Sequence, residues 1–267
     1  MAAERQHSVN SGFTLIEMIV VIVIIGILAS LGGRLIVGPV TGYIDLSRRT
    51  RLVDQAEMAL RRMQRDIRQA LPNSIRISAG NQSLELLHTV DGGRYRRYQD
   101  PGPGGDDILD FSTTDSSFDV LGNLRGIPDG LNLVIYNISS SGLSGNAYAA
   151  IPDNRTLVAA GSTLTHINLV APFQFAHSSP YQRFFLLDQA ITYRCEAGVL
   201  NRYAGYAIGS VPVAGSAALV TNGVSSCTFG FDPGASQRAG LATITISLTE
   251  AGETINLLHQ VHVVNAP

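Results

Sequence analysis

The chain contains no lysine, so all 19 of its basic residues are arginine. Schiff-base chemistry, Walker-type phosphate loops and kinase-type transfer each need a lysine amine and are excluded. The other reactive residue types are sparse. Asp106, Asp107 and Asp110 share one short stretch and are the candidates for a hard cation such as Ca2+, which takes carboxylate oxygens. The plainer reading is solvated aspartates beside a strand. His259 and His262 stand three apart, and on a strand that spacing puts them on opposite faces, unsuited to a shared metal. Gly102, Gly104 and Gly105 lack the strand–loop–helix setting of a nucleotide loop. No carboxylate pair, Ser-His-Asp set or metal cluster emerges at a useful spacing. No catalytic residue, resident metal or cofactor is therefore expected.

Two cysteines and one glutamate remain. Cys195 and Cys227 each fall in a β-like stretch. A lone pair reads as one disulfide in an exported domain and as buried free thiols in a cytosolic one. Glu17 is the one charge in an apolar run that extends from Phe13 to Gly33. From Phe13 such a helix is about 31 Å long, close to the ~30 Å hydrocarbon core of a bilayer. A carboxylate near its end costs on the order of 2–3 kcal/mol, so it persists when a partner neutralises it or when it snorkels to the headgroups. An ordinary cleaved signal fits less well, because Leu28-Ala29-Ser30 is a poor small-residue cleavage site. Arg34, Arg48, Arg49 and Arg51 follow the run while Arg5 and His7 precede it. Positive charge alone would put the C-terminal side in the cytoplasm; an exported disulfide points the other way.

Across the polar-to-apolar boundary the residues are Ser11-Gly12-Phe13-Thr14-Leu15-Ile16-Glu17-Met18. A glycine precedes an aromatic, and an acidic residue stands fifth counting from that aromatic. This resembles the class III signal of type IV prepilins and type II secretion pseudopilins, although the leader is less basic than usual there. The resemblance implies cleavage between Gly12 and Phe13 by a prepilin peptidase, followed by N-methylation of Phe13. It also implies that Glu17 acts in assembly, pairing with the free α-amino group of a neighbouring subunit. The topology it implies is a cytoplasmic leader, a single pass through the bacterial inner membrane and a periplasmic head, which later enters a pilus or pseudopilus fibre. Residues 179–188, 191–195, 200–206 and 259–267, with the helix end at 65–71, resemble the MshO group of minor pilins. Those serve mannose-sensitive haemagglutinin (MSHA) pilus biogenesis and are related to J-type pseudopilins and W-type minor pilins.

These residues need elements to position them. Gly38, Pro39 and Gly42 weaken helix, so a bend or melted turn is expected near 38–42. Helical spacing resumes with Leu52, Ala56, Leu60, Met63, Ile67 and Leu71, and Pro72 stops it. The opposite face carries Arg61, Arg62, Arg65 and Arg68. No aromatics interleave them, and the chain is poorly charged, with 15% charged residues and a net charge of −2. A solvated or subunit-facing helix side is the expectation, and no nucleic-acid partner. Strand-like runs follow at 84–90, 108–112, 131–137, 164–170, 183–187, 190–195, 199–206, 227–232, 242–249 and 253–264. Glu196-Ala-Gly198 and Glu250-Ala-Gly252 read as hairpin turns, and 100–106, 142–162 and 209–218 as surface loops.

The expected fold is α+β and type IV pilin-like: a long N-terminal helix, its first half in the membrane, packed on a largely antiparallel β-sheet head. The expected division is a leader at 1–12, the transmembrane and assembly helix at 13–71 and a periplasmic head at 72–267. The expected function is non-enzymatic: a minor pilin that helps initiate a type IV pilus of MSHA type near the fibre tip. A surface-binding tip subunit (adhesin or DNA-binding) or a minor type II secretion pseudopilin is the alternative. Expected partners are the prepilin peptidase, other minor and major pilins, the inner-membrane assembly platform and membrane lipid.

Overall fold

A computed structural model describes residues 12–78, 80–100, 106–234 and 239–263. Most of the expected leader, the glycines of the 100–106 loop and the last residues of the chain lie outside them. The chain divides into two units, residues 1–50 and 51–267, and helix α1 (Leu15–Arg68) contributes to both.

In the first unit, Leu15–Gly32 is an apolar stretch of mean hydropathy 2.8 with none of its residues buried. Its length and composition suit a membrane span. The melted turn expected near 38–42 is absent, because α1 stays helical through Pro39. A proline removes one hydrogen bond from the ladder. Here the Thr41 hydroxyl donates to the Gly38 carbonyl at 2.9 Å, adding a local bond within that turn.

In the second unit the rest of α1 buries its apolar stripe. Leu52, Ala56, Ala59, Leu60, Met63 and Ile67 are all within 5% of complete burial. Each large side chain removed from water in this way contributes roughly 1.5–3 kcal/mol. The helix ends at Arg68, three residues before the expected stop. The chain is claimed there by the sheet: the Leu71 amide donates to the Leu87 carbonyl at 2.8 Å, and Ala70 bridges His88.

Among the described residues the head contains twelve strands: β1 (Arg76–Ile77), β2 (Ser83–Tyr95), β3 (Asp115–Leu121), β4 (Asn132–Ile135), β5 (Arg155–Leu157), β6 (His166–Phe173), β7 (Arg183–Glu196), β8 (Val199–Tyr206), β9 (Ala217–Thr221), β10 (Val224–Asp232), β11 (Gly240–Glu250) and β12 (Glu253–Val263). The first nine form one sheet with the order β5-β4-β7-β2-β3-β6; β1 adds to β2, β8 to β7 and β9 to β8. The last three form a second sheet, β10-β11-β12. Among the described residues every strand pairing is antiparallel. Along β11 the alternate residues Ala242, Ile244, Ile246 and Leu248 are buried, the period of two that a half-buried strand requires. They share one core with the α1 stripe and with Leu84, Leu86, Ile191, Tyr193 and Leu200 of the larger sheet.

Several expected boundaries are corrected. Residues 183–187 and 190–195 are one strand, β7, with an irregularity at Asp188, which the β2 register skips; the Asp188 side chain bonds His88, and the Gln189 side chain accepts the Gly205 amide. Residues 108–112 are not a strand. Nearby amides are taken by carboxylates instead, Asp107 N–H by Asp119 and Asp110 N–H by Asp115, both at 2.9 Å. The stretch 142–162 is only partly a surface loop. Asn146, Ala147 and Tyr148 are buried, the Ala147 amide donates to Asn137 Oδ1, and the Tyr148 hydroxyl donates to the Ser74 carbonyl. The stretch 209–218 is exposed but runs into β9, a strand that alanine and serine content obscures. Both Ala-Gly hairpins are present as two-residue turns. Ala197 and Ala251 take φ of 49° and 48°, and Gly198 and Gly252 take 77° and 88°, so both central residues of each turn are left-handed.

Candidate functional site

The residues at the membrane boundary come together in the first turn of α1. The Glu17 amide donates to Thr14 Oγ1 at 3.3 Å, and the Met18 amide to the Thr14 carbonyl at 3.3 Å. Thr14 is therefore the N-cap and Glu17 the third residue of the helix. The Thr14 role was not singled out from sequence; Thr-Leu-Ile-Glu is the threonine–glutamate spacing that signals it. Capping fixes where the helix starts, one residue after Phe13 and Gly12 have left it.

The Glu17 carboxylate has no hydrogen bond or ion pair among the described residues and lies at the start of the apolar stretch. Phe13 is exposed. At Gly12 an added Cβ would meet nothing within 4 Å. Among the described residues, packing does not require a glycine there. As an arrangement, this is an accessible peptide bond beside an unneutralised carboxylate at a bilayer-length helix.

The other singled-out residues are placed apart from it. Cys195 on β7 and Cys227 on β10 form a disulfide that ties the two sheets together. Asp106, Asp107 and Asp110 each have their own occupation. Asp106 receives Arg96 at 3.2 Å, Asp107 receives the Ser117 hydroxyl at 2.5 Å, and Asp110 receives the Ser112 hydroxyl and amide at 2.7 Å. Those two Ser112 bonds hold the Asp110 carboxyl below its usual range. No group of three or more His, Cys, Asp or Glu side chains with metal-site geometry occurs among the described residues. His259 is half-buried and His262 exposed, on β12 opposite Ile244 and Leu241.

One set that spacing did not reveal is assembled by folding. Ser144 Oγ lies 2.7 Å from Asp153 Oδ2 and 3.1 Å from His177 Nε2. The wiring is the reverse of an activated serine. The hydroxyl proton goes to the carboxylate, so His177 can only donate to the serine rather than remove its proton. Asp153 Oδ1 also accepts the Gly145 amide at 2.8 Å, and the set works as a loop clasp.

Residues 7–32 match the family described as the prokaryotic N-terminal methylation motif. No curated protein and no solved structure matches the chain. The motif implies processing by a prepilin peptidase and assembly with other pilins, and with the apolar helix it fits a membrane-anchored pilin. A methylation motif leading into a long helix with an apolar start, followed by a largely antiparallel β head, supports a type IV pilin-like protein.

Proposed function

We propose that this chain is a minor pilin that helps to initiate a type IV pilus of MSHA type, at low copy near the fibre tip. The observation that carries the reading is Glu17, a carboxylate without a partner among the described residues, one helical turn from the Gly12-Phe13 bond. Cleavage there would free an α-amino group at the depth where a neighbour's Glu17-like residue sits. The two would neutralise each other inside the bilayer, where a lone carboxylate is costly. In this reading the leader is residues 1–12, the helix passes once through the inner membrane, and the head beyond residue 72 is periplasmic. The disulfide supports that address, since such bonds persist outside reducing compartments. The MSHA assignment leans on the resemblance at 179–206 and 259–267. The low-copy position leans on head size: a shaft repeats its subunit at a short rise, and this head would crowd its neighbours there.

A minor pseudopilin of type II secretion is the second reading, favoured by the same junction, which both fibre types use. Mass spectrometry of the membrane-extracted protein tests the processing, with an N-methylated Phe13 terminus expected. Quantitative mass spectrometry of sheared fibres tests the position. An unprocessed Met1 terminus, or this chain as the most abundant subunit, would contradict the proposal.

A further inference from the structure

Residues 55–68 of α1 form the floor of an open groove of about 1190 Å3. Its walls are residues 219–222, at the end of β9, and residues 257–259 of β12. Among the described residues β9 pairs with β8 alone and β12 with β11 alone, so both walls are edge strands with unpaired backbone groups. Natural proteins blunt such edges with charge, proline or a covering element. Ala217-Ala-Leu-Val-Thr221 and Asn256-Leu-Leu-His259 carry neither lysine nor proline nor any acidic or arginine residue. Three large apolar side chains stand in water between them: Met58 at 64%, Leu219 at 58% and Leu258 at 65% exposure.

The floor is cationic. Arg61, Arg62, Arg65 and Arg68 line it against a single acid, Glu57, which is already bonded to Arg61 at 3.0 Å. Arg62, Arg65 and Arg68 make no ion pair among the described residues. Solvated arginines alone would be an ordinary helix face. Arginines beside exposed leucines, between two unblunted strand edges, make a surface that pairs main chain, apolar side chains and negative charge at once. Among the described residues no phenylalanine, tyrosine or tryptophan lines the groove, which therefore offers none of the stacking platforms that single-stranded nucleic acid uses. A second copy of this chain is a poor occupant as well. In its aspartate-dense stretch 106–119 every carboxylate is already bonded within the fold: Asp106 to Arg96, Asp107 to the Ser117 hydroxyl, Asp110 to the Ser112 hydroxyl, Asp115 to the Asp110 amide and Asp119 to His166.

We infer that the groove receives an extended, acidic segment of a different pilin-type subunit, added as a strand at the β9 and β12 margins with its carboxylates on Arg62, Arg65 and Arg68. The inference rests on the pilin reading for the class of partner. It goes beyond that reading by naming the surface and the chemistry of the contact, on the head rather than in the membrane helix.

The test uses the full chain in cells that assemble the fibre. A photo-reactive benzophenone side chain replaces Met58 or Leu258, and as a control Ile151, which is 91% exposed and lines no part of the groove. Crosslinked peptides are sequenced by mass spectrometry. Positions 58 and 258 should crosslink to one acidic, extended segment of another methylated subunit, and position 151 should not. Arg62→Glu with Arg65→Glu should lower that yield about tenfold or more, the scale of reversing one charge-assisted pair. Crosslinks from 58 and 258 to a second copy, to nucleic acid or to a protein without the methylation motif would overturn the inference. So would a yield indifferent to charge reversal, or one no higher than at 151. Failure of the pilin reading has a separate signature, because Phe13 would then remain uncleaved and unmethylated in the unmodified protein.

Discussion

Asp66, in the last turn of α1, accepts the Arg202 Nε–H of β8 at 2.7 Å, and the same carboxylate oxygen accepts the Tyr193 hydroxyl of β7 at 2.7 Å. Both charged side chains are largely buried, 14% exposed for Asp66 and 16% for Arg202. Burial pushes the Tyr193 hydroxyl well above its usual range, so the phenol stays a donor at any physiological pH. The helix end is thus held to two neighbouring strands through one atom.

Removing that atom should be expensive. Asp66→Ala leaves the Arg202 guanidinium buried without its partner and the Tyr193 hydroxyl without an acceptor, and should cost roughly 3 kcal/mol. The pair formed by Arg51 and Glu250 is a control on the same helix, with side chains 55% and 45% exposed. Glu250→Ala should cost about 1 kcal/mol or less. Denaturant unfolding of the two solubilised variants compares them, and equal losses would refute the contrast.

The disulfide closes a separation of 32 residues between the two sheets. The chain-entropy account gives roughly 3–4 kcal/mol for such a loop. Cys195→Ala with Cys227→Ala should lose about that much, and the native protein should not label with maleimide before reduction. Labelling of the native, unreduced protein would remove the bond and the argument for export together.

Ala197 and Ala251 occupy left-handed positions that asparagine tolerates better than alanine. Ala251→Asn should therefore stabilise the β11–β12 hairpin by about 0.5–1 kcal/mol. Thermal unfolding measures it. A loss of stability would mean that the turn makes contacts beyond its backbone conformation.

His88 makes the head sensitive to pH near neutrality. Its Nδ1 lies 2.7 Å from Asp188 Oδ1, and its Nε2 3.3 Å from Gln69 Oε1. The Asp188 bond raises the imidazole above its ordinary value; partial burial and Arg202 oppose this, and Asp66 assists. A folded-state value above the unfolded one makes the contribution complete below about pH 6.5, and it fades as pH rises through the raised value. Stability should thus fall across that interval, and His88→Gln should flatten the fall. A wild-type profile that rises with pH over the same interval would have the wrong sign.

The sequence carried the parts whose signals are local and periodic. The Gly12-Phe13-Glu17 junction, the α1 stripe from Leu52 to Ile67 and the β8, β11 and β12 segments all rest on spacing along one element. What it hid depends on contacts between distant segments. The strand β9 has alanines where a strand normally shows branched residues, and it exists because β8 offers it an edge. Residues 108–112 look like a strand, yet the Leu109 amide goes to the Arg96 carbonyl and the Asp110 amide to the Asp115 side chain, which breaks the regular ladder. Ser144, Asp153 and His177 stand far apart in sequence and meet only in the folded loops. The Thr14 cap lies in the same residues as the processing signal, whose Thr-to-Glu spacing also encodes it.

Glu17 is where function and insertion should separate. Thr14 uses its hydroxyl on the Glu17 backbone amide, not on the carboxylate, so the helix start does not depend on the Glu17 charge. Replacing the carboxylate makes the segment from Leu15 to Gly32 more apolar, and Glu17→Ala should enter the membrane as readily as the wild type. Cleavage after Gly12 should also persist, because the scissile bond lies outside the helix. Assembly is different. A carboxylate with no partner among the described residues can gain one from another subunit, and in hydrocarbon that attraction is poorly screened. Glu17→Ala should therefore be processed, membrane-bound and nearly absent from sheared fibres. Glu17→Gln keeps the shape and an oxygen that can accept a hydrogen bond from a neighbour's amino group but loses the charge, and should fall between the two. Processing state, membrane fraction and fibre incorporation can be read from one mass-spectrometric series. Normal incorporation of Glu17→Ala would remove the charge pairing from the mechanism, whereas loss of the variant from the membrane would show that Glu17 acts in insertion instead.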